Sequence, residues 1–467
     1  LGLFSIAVAF FGLLTIFSGS GLPLTVSRKI AEYNAYDNTK RKSFSVVTAG
    51  LLIALIINAV VVGVFLATKS PVLSLLSDQR AERLILIMLP ATFSTCIYNV
   101  IRAYFMGKKK YGAYSITELI EEILNVIIIL TVLFLFVEID RNLALPIAFT
   151  IADVICFIII VVIYFLQKGK LAKPIETLSI FKSSTPITLM RLFTSLTTIF
   201  TAVLLPNRLM SLGMTSFEAT AEFGRATGMA YPLLFAPLAV TSSLSIVLLP
   251  EIAEKNVKAD YSGISYKLNK SISVAFIISC FFFIVYAALG TTLGKFLFAD
   301  EKAGAFVAFS SAMVVPLTLS QITNTTLNSL GKEKVSFVIN VIALAVMIVG
   351  LYFLPKYLGI YALAVSQTAF HTISFIAETV FLSKYKVTDL SFYKTMLKVG
   401  LPSLLLTALT SLLFKLIQGL NDLIILIICG AFAGVGYLGI LFCLSDVRSN
   451  VSDLLKRKKI KRLSHNL

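Results

Sequence analysis

The chain has 467 residues, of which 57% are hydrophobic and only 14% charged, whereas a water-soluble domain carries about 25% charged residues. That balance excludes a soluble globular protein. The net charge of +17 raises nucleic acid as a partner, but where the basic residues fall argues against it; five isolated cysteines, two histidines and no tryptophan argue against a disulfide framework and a histidine-built metal or catalytic centre.

A spanning helix needs roughly 20 apolar residues, and a spanning strand shows alternation in place of continuous runs. Stretches such as SFSVVTAGLLIALIINAVVVGVFLA do not alternate. Thirteen spanning helices are therefore predicted, at roughly 1–26, 44–67, 84–106, 113–137, 142–166, 184–205, 226–249, 271–294, 305–327, 335–354, 358–382, 397–417 and 422–444. The 1–26 run is too long for a signal sequence and has no basic region ahead of it. Alternate loops from residue 27 onward hold 28 Lys and Arg, against 10 in the remaining loops. The positive-inside rule makes the first set cytoplasmic, and the basic tail at 445–467 reads as an orientation and anionic-lipid signal.

The first run ends on IAEYN at 30–34, and a later one on IAEKN at 252–256, an offset of 222. PATFS at 90–94 and PLTLS at 316–320 give a nearly equal offset of 226. Six spans separate the members of each pair, and an even number of crossings keeps them in one orientation, as in transporters built from parallel repeats. The fold class expected is an all-α integral membrane protein of two six-helix lobes in parallel pseudo-repeat plus two terminal helices. The lobes are 1–174 and 175–395, followed by two further helices at 396–444. The second lobe opens with a helix for which the first has no counterpart, so a further helix is expected ahead of Leu1, giving fourteen.

Polar residues inside spans carry the functional argument, because exposing them to lipid is costly. The same offsets from Pro90 and Pro316 give Thr95, Asn99 and Arg102 in one span and Gln321, Thr325 and Asn328 in the other, each trio on one helical face. Two readings stand: a polar cavity lined by both, or hydrogen bonds that join helices. Arg191 lies about 10 Å into its predicted helix, far for a side chain that snorkels, while Arg102 at about 7 Å can reach the interface. With Lys182 and Arg28 at the rim, where they also serve as topology signals, these residues would form a positive cavity suited to a diphosphate. Glu118, Glu121 and Glu122 share a face just after three lysines, which offers either local ion pairing or ion coupling. Asp153, near the centre of its span, is the other candidate for coupling to H+ or Na+.

GLPLTVSRKIAE at 21–32, RAYFMG at 102–107, LLPNRLMSLGMTSFEATAEFGRATGMAYPLLFAPL at 204–238, LSIVLLPEIAE at 244–254 and LNSLGK at 327–332 resemble the stage V sporulation protein B and polysaccharide-transporter branch of the multidrug/oligosaccharidyl-lipid/polysaccharide (MOP) exporter superfamily. The resemblance covers nearly the whole chain. It implies fourteen helices in two lobes, a central cavity, and flipping of an undecaprenyl-diphosphate-linked saccharide, such as lipid II, across the bacterial plasma membrane. Ala103 and Met106 depart from the family's usual RGYFQG, and Asn328 with Ser329 from its SLQGLGK.

Among function classes, a flippase needs a basic polar cavity, and a multidrug antiporter needs buried carboxylates in an apolar pocket. Loops of at most about 20 residues are too short for the catalytic domain of a membrane glycosyltransferase. The expectation is a non-enzymatic flippase with no cofactor, acting as a monomer on a lipid-linked oligosaccharide among membrane lipids. A cation antiporter is the alternative.

Overall fold

The chain is all-helical in a computed structural model that describes residues 2–36, 40–73, 80–108, 110–135, 141–385, 387–388 and 391–443. The predicted basic tail lies outside them. In the first unit the α-helices are α1 (Gly2–Phe17), α2 (Leu22–Tyr36), α3 (Lys40–Leu73), α4 (Ala81–Gly107), α5 (Tyr111–Leu135), α6 (Arg141–Leu166), α7 (Thr177–Ser211) and α8 (Ser216–Gly224). The second opens on a π-helical turn, Arg225–Ala230, then α9 (Tyr231–Val257), α10 (Tyr261–Phe298), α11 (Glu301–Ser310), α12 (Val314–Ser329) and α13 (Glu333–Phe353). It closes with α14 (Pro355–Leu358), α15 (Ala362–Lys384), α16 (Phe392–Ile417) and α17 (Asp422–Cys443).

Every predicted span is occupied by helix, and ten helical stretches are long and apolar enough to cross a membrane, or eleven if the bent pair α1–α2 is one span. The chain is a multi-pass membrane protein. The long helix α5 falls outside that group, carrying Glu118, Glu121 and Glu122 within five residues.

The run predicted as one helix at 1–26 is broken. Ser18-Gly19-Ser20-Gly21 interrupts it, with Gly19 at φ 109°, and the two helical parts meet at 43°. Only glycine adopts that φ without strain, and Pro23 then sits in the first turn of α2, where its missing N–H costs nothing. IAEYN and IAEKN both occupy the last two turns of their helices, α2 and α9.

By contact the chain divides into residues 1–224 and 225–467. The division falls about 50 residues beyond the expected lobe boundary at 174/175, because α7 packs on α1 and α2. In the first unit α4 is the hub, packed against α1, α2, α3 and α6 around Val26, Ile30, Val47, Tyr98, Phe105 and Ile160. In the second, α10 is the spine: at 1.5 Å per residue its 38 residues run about 57 Å, well over the roughly 30 Å hydrocarbon core. Gly290 and Gly294 on α10 let α11 approach to backbone contact; a Cβ on Gly304 would lie 2.5 Å from the Thr291 carbonyl oxygen and 2.6 Å from that of Gly290.

Candidate functional site

The break between α1 and α2 builds the site. Where a helix unwinds inside the membrane, its freed backbone groups must find partners or line a polar cavity. Here they do both. The Gly21 N–H donates to Thr188 Oγ1 at 3.0 Å, and the Ser20 carbonyl accepts from Arg191 Nη1 at 2.9 Å. Asn58, fully buried on α3, donates to Ser18 Oγ at 3.0 Å and accepts from Thr92 Oγ1 at 3.2 Å.

This segment walls a cavity of about 430 Å³ within the first unit, lined also by Asn99, Arg102, Ala103 and Met106 of α4, Tyr114 of α5 and Arg191 of α7. The helix α7 begins seven residues earlier than expected, which places Arg191 about 21 Å along it. Three buried polar atoms on lining residues, Arg102 Nε and Nη2 and Ser20 Oγ, have no hydrogen-bond partner. An unmet buried donor costs about 1–3 kcal/mol, so a ligand that supplies an acceptor gains that amount. Arg102 is gripped from the other side: Nη2 is 2.8 Å from Glu118 Oε2, Nη1 is 3.9 Å from Glu121 Oε2, and the Tyr114 and Tyr98 ring centres are 4.1 and 5.9 Å from its guanidinium carbon.

The remaining predicted residues separate. Thr95 turns from the cavity and donates to Asp153 Oδ2 at 2.7 Å, joining α4 to α6. Arg28 and Lys182 are exposed and do not line the cavity. The ion pair at that end of the unit belongs to Lys29, which donates to Glu176 Oε2 at 2.8 Å; Tyr33 donates to Oε1 of the same carboxylate. These two donors hold the Glu176 carboxyl below its ordinary value. Glu122 is exposed on α5.

In the second unit the α12 trio is internally bonded. Gln321 accepts from Thr241 Oγ1 and donates to Ser242 Oγ, each at 2.8 Å, while Thr325 donates to the Gln321 carbonyl and Asn328 to Asn324 Oδ1. Sequence reasoning missed Glu378, fully buried on α15, which accepts from Thr323 Oγ1 at 2.5 Å and Asn324 Nδ2 at 3.1 Å. A lone carboxylate in an apolar span is the property that singled out Asp153, and it would have found Glu378 too. It also missed the Ser-Gly-Ser-Gly break, which two glycines and two serines inside a span announce. Among the described residues, no group of three His, Cys, Asp or Glu side chains could hold a metal ion.

Comparison with known proteins agrees with this architecture. Residues 1–256 match the model of a family described as polysaccharide biosynthesis protein, more than half of the chain. The chain belongs to the polysaccharide biosynthesis protein family. Stage V sporulation protein B of Bacillus subtilis is 24% identical over 323 residues, 66% of this chain and 62% of that protein. Sporulation protein YkvU of the same bacterium is 22% identical over 278 residues, 56% of this chain and 60% of that one. The chain thus spans about three-fifths of these curated relatives. Among solved structures, the fold is similar to that of the lipid II flippase MurJ in its inward closed conformation, with a TM-score of 0.69 at 16% identity, covering 98% of this chain and 99% of that one. It is also similar to an inward-facing multidrug resistance MATE family transporter of the MOP superfamily, with a TM-score of 0.68 at 14% identity, covering 83% and 94%. This member of the polysaccharide biosynthesis family therefore has the MurJ/MATE-like transporter fold.

Proposed function

We propose that this protein flips an undecaprenyl-diphosphate-linked saccharide, lipid II or a similar envelope precursor, from the cytoplasmic to the outer leaflet of the bacterial plasma membrane by alternating access. The observation that carries the reading is the pairing of Arg102 and Arg191 on one cavity with an unpartnered buried guanidinium Nε. A diphosphate offers several acceptor oxygens and the charge to draw such groups out of their present contacts, and guanidinium binds it through two parallel hydrogen bonds. Asn99 and Ser20 add neutral donors for the oxygens beside it. Family membership, the relative named stage V sporulation protein B and the flippase-like fold support the same reading. The pseudo-repeat lobes, with the basic loops cytoplasmic and Gln321, Thr325 and Asn328 as the second lobe's share of the substrate path, belong to it as well. So does Asp153 as the coupling carboxylate, with Glu118 and Glu122 in reserve.

The test is transport in proteoliposomes loaded with a fluorescent polyprenyl-diphosphate saccharide. Arg191→Ala is expected to abolish flipping with insertion intact, and Arg191→Lys to restore only part, since Lys has no planar fork. A fully active Arg191→Ala protein overturns the diphosphate site. A MATE-like cation antiporter is the second reading, favoured by two carboxylates inside spans, Asp153 and Glu378. Binding of drug cations and not of lipid diphosphates by the purified protein would put it first.

A further inference from the structure

Arg102 stands between two sets of acceptors. On one side is the cavity; on the other are Glu118, 2.8 Å from Nη2, and Glu121, 3.9 Å from Nη1. The Glu118 contact is close in distance yet Nη2 forms no aligned hydrogen bond, and Nε has no partner at all. The edge formed by Nε and Nη2 is one that a pair of phosphate oxygens engages side by side. Glu118 and a bidentate phosphate cannot both hold it.

We propose that Glu118 is a displaceable counter-anion: it holds Arg102 while the cavity is empty, and a diphosphate headgroup must take the guanidinium from it. The proposal rests on the reading of this cavity as a diphosphate site and adds what an arriving anion must displace. Any anion entering the cavity meets the same fixed penalty, the loss of the Arg102–Glu118 pair. The Glu118 side chain is 54% exposed, so water screens the pair and limits the penalty to roughly fivefold in affinity. A phosphodiester with one charge, the headgroup of the membrane's own anionic lipids, gains little from Arg102 and is held off. A diphosphate, with more charge and more oxygens, recovers the loss and binds. The vacant transporter thus keeps its arginine paired with its own carboxylate and clear of the lipids around it. Tyr98 and Tyr114 make the exchange practicable, because a guanidinium sliding along a ring face keeps its cation–π contact whichever anion it meets.

The experiment measures binding of farnesyl diphosphate, and separately of dihexanoyl phosphatidylglycerol, to the purified full chain in detergent. Glu118→Gln, which preserves side-chain shape, is expected to tighten both by up to about fivefold. Glu333→Gln, an exposed carboxylate at the start of α13 with no part in the cavity, is expected to leave both nearly unchanged, and Glu118→Gln is expected to have no effect in an Arg102→Ala background. Weaker or unchanged binding in Glu118→Gln overturns the proposal and leaves Glu118 as a support that positions Arg102. Equal tightening by Glu118→Gln and Glu333→Gln overturns it in favour of bulk charge. If Arg102→Ala alone binds farnesyl diphosphate as tightly as the unaltered protein, the diphosphate site itself falls.

Discussion

Thr95 on α4 donates its hydroxyl proton to Asp153 Oδ2 on α6 across 2.7 Å, and with it one face of the hub helix of the first unit is committed to a carboxylate near mid-span. Asp153 lies about eleven residues from either end of its predicted span, so neither interface can solvate it and it depends on such a partner. Asp153→Asn keeps the size and removes the charge. If the carboxylate couples transport to an ion, the variant should bind lipid substrate and fail to turn over. A normal flipping rate per inserted molecule would remove Asp153 from the mechanism.

Glu378 is a different case, enclosed entirely by its own unit. Replacing it by Leu leaves the Thr323 hydroxyl with the longer contacts to the Ser320 and Leu319 carbonyls, and Asn324 with Ser336 as its remaining acceptor. The expected cost is about 2 kcal/mol, seen as a lower melting temperature in detergent. Glu378→Gln should recover much of it, because an amide oxygen can still accept from both groups. Equal stability of all three proteins would show that the network contributes nothing.

The glycine contact of α10 and α11 gives a steric prediction. Gly304→Val places a side chain where the Thr291 and Gly290 carbonyls already stand within 2.6 Å of a Cβ. The hairpin must open, at about 1–3 kcal/mol, and thermal unfolding should report it. Gly430→Val, in a position where a Cβ meets nothing within 4 Å, is the control and should be near neutral.

At the start of α10, Asp260 Oδ1 accepts from the Gly263 N–H at 2.8 Å and Oδ2 from Lys255 Nζ at 2.5 Å. Lys255 first, then the Gly263 and Ser262 donors, hold this carboxyl at about 2, below the ordinary 3.8. A depressed folded value means that the stabilisation is complete above pH 4 and is lost as pH falls toward 2. Exchange protection of the Gly263 amide should fall across that window, and Asp260→Asn should remove the pH dependence while keeping the cap.

Orientation can be read by labelling. Single cysteines in a cysteine-free background, at Lys170 between α6 and α7 and at Ser216 opening α8, should respond oppositely to an impermeant thiol reagent on intact cells. Labelling at Ser216 alone agrees with the basic loops facing the cytoplasm; labelling at Lys170 reverses the topology.

Helix positions were legible in the sequence because spanning helices announce themselves by length and apolarity, and α6, α13 and α17 fall close to their predicted bounds. Arg102, Asn99 and Arg191 were legible as candidates because a polar group in an apolar run needs a reason. What they meet was not. Spacing places Thr95, Asn99 and Arg102 on one face, yet a face of one helix confronts several neighbours, and Thr95 goes to α6 while the other two reach the cavity. The ion pair of Arg102 with Glu118 joined two residues that the sequence had assigned to separate tasks, since nothing local to either reports the distance between α4 and α5. Arg28 and Lys182 are legible as rim cations, but nothing local to Lys29 announces that it reaches Glu176, far along the chain.

The Tyr114 ring lies 4.1 Å from the Arg102 guanidinium in a protein that contains no tryptophan. Tyr114→Trp would therefore give the molecule a single indole, seated on the cavity wall against a cation it binds better than phenol does. Its emission, free of any other indole and sensitive to the charge beside it, would follow the guanidinium optically as anions arrive and leave. The cavity thereby acquires a built-in spectroscopic window at the cost of one residue.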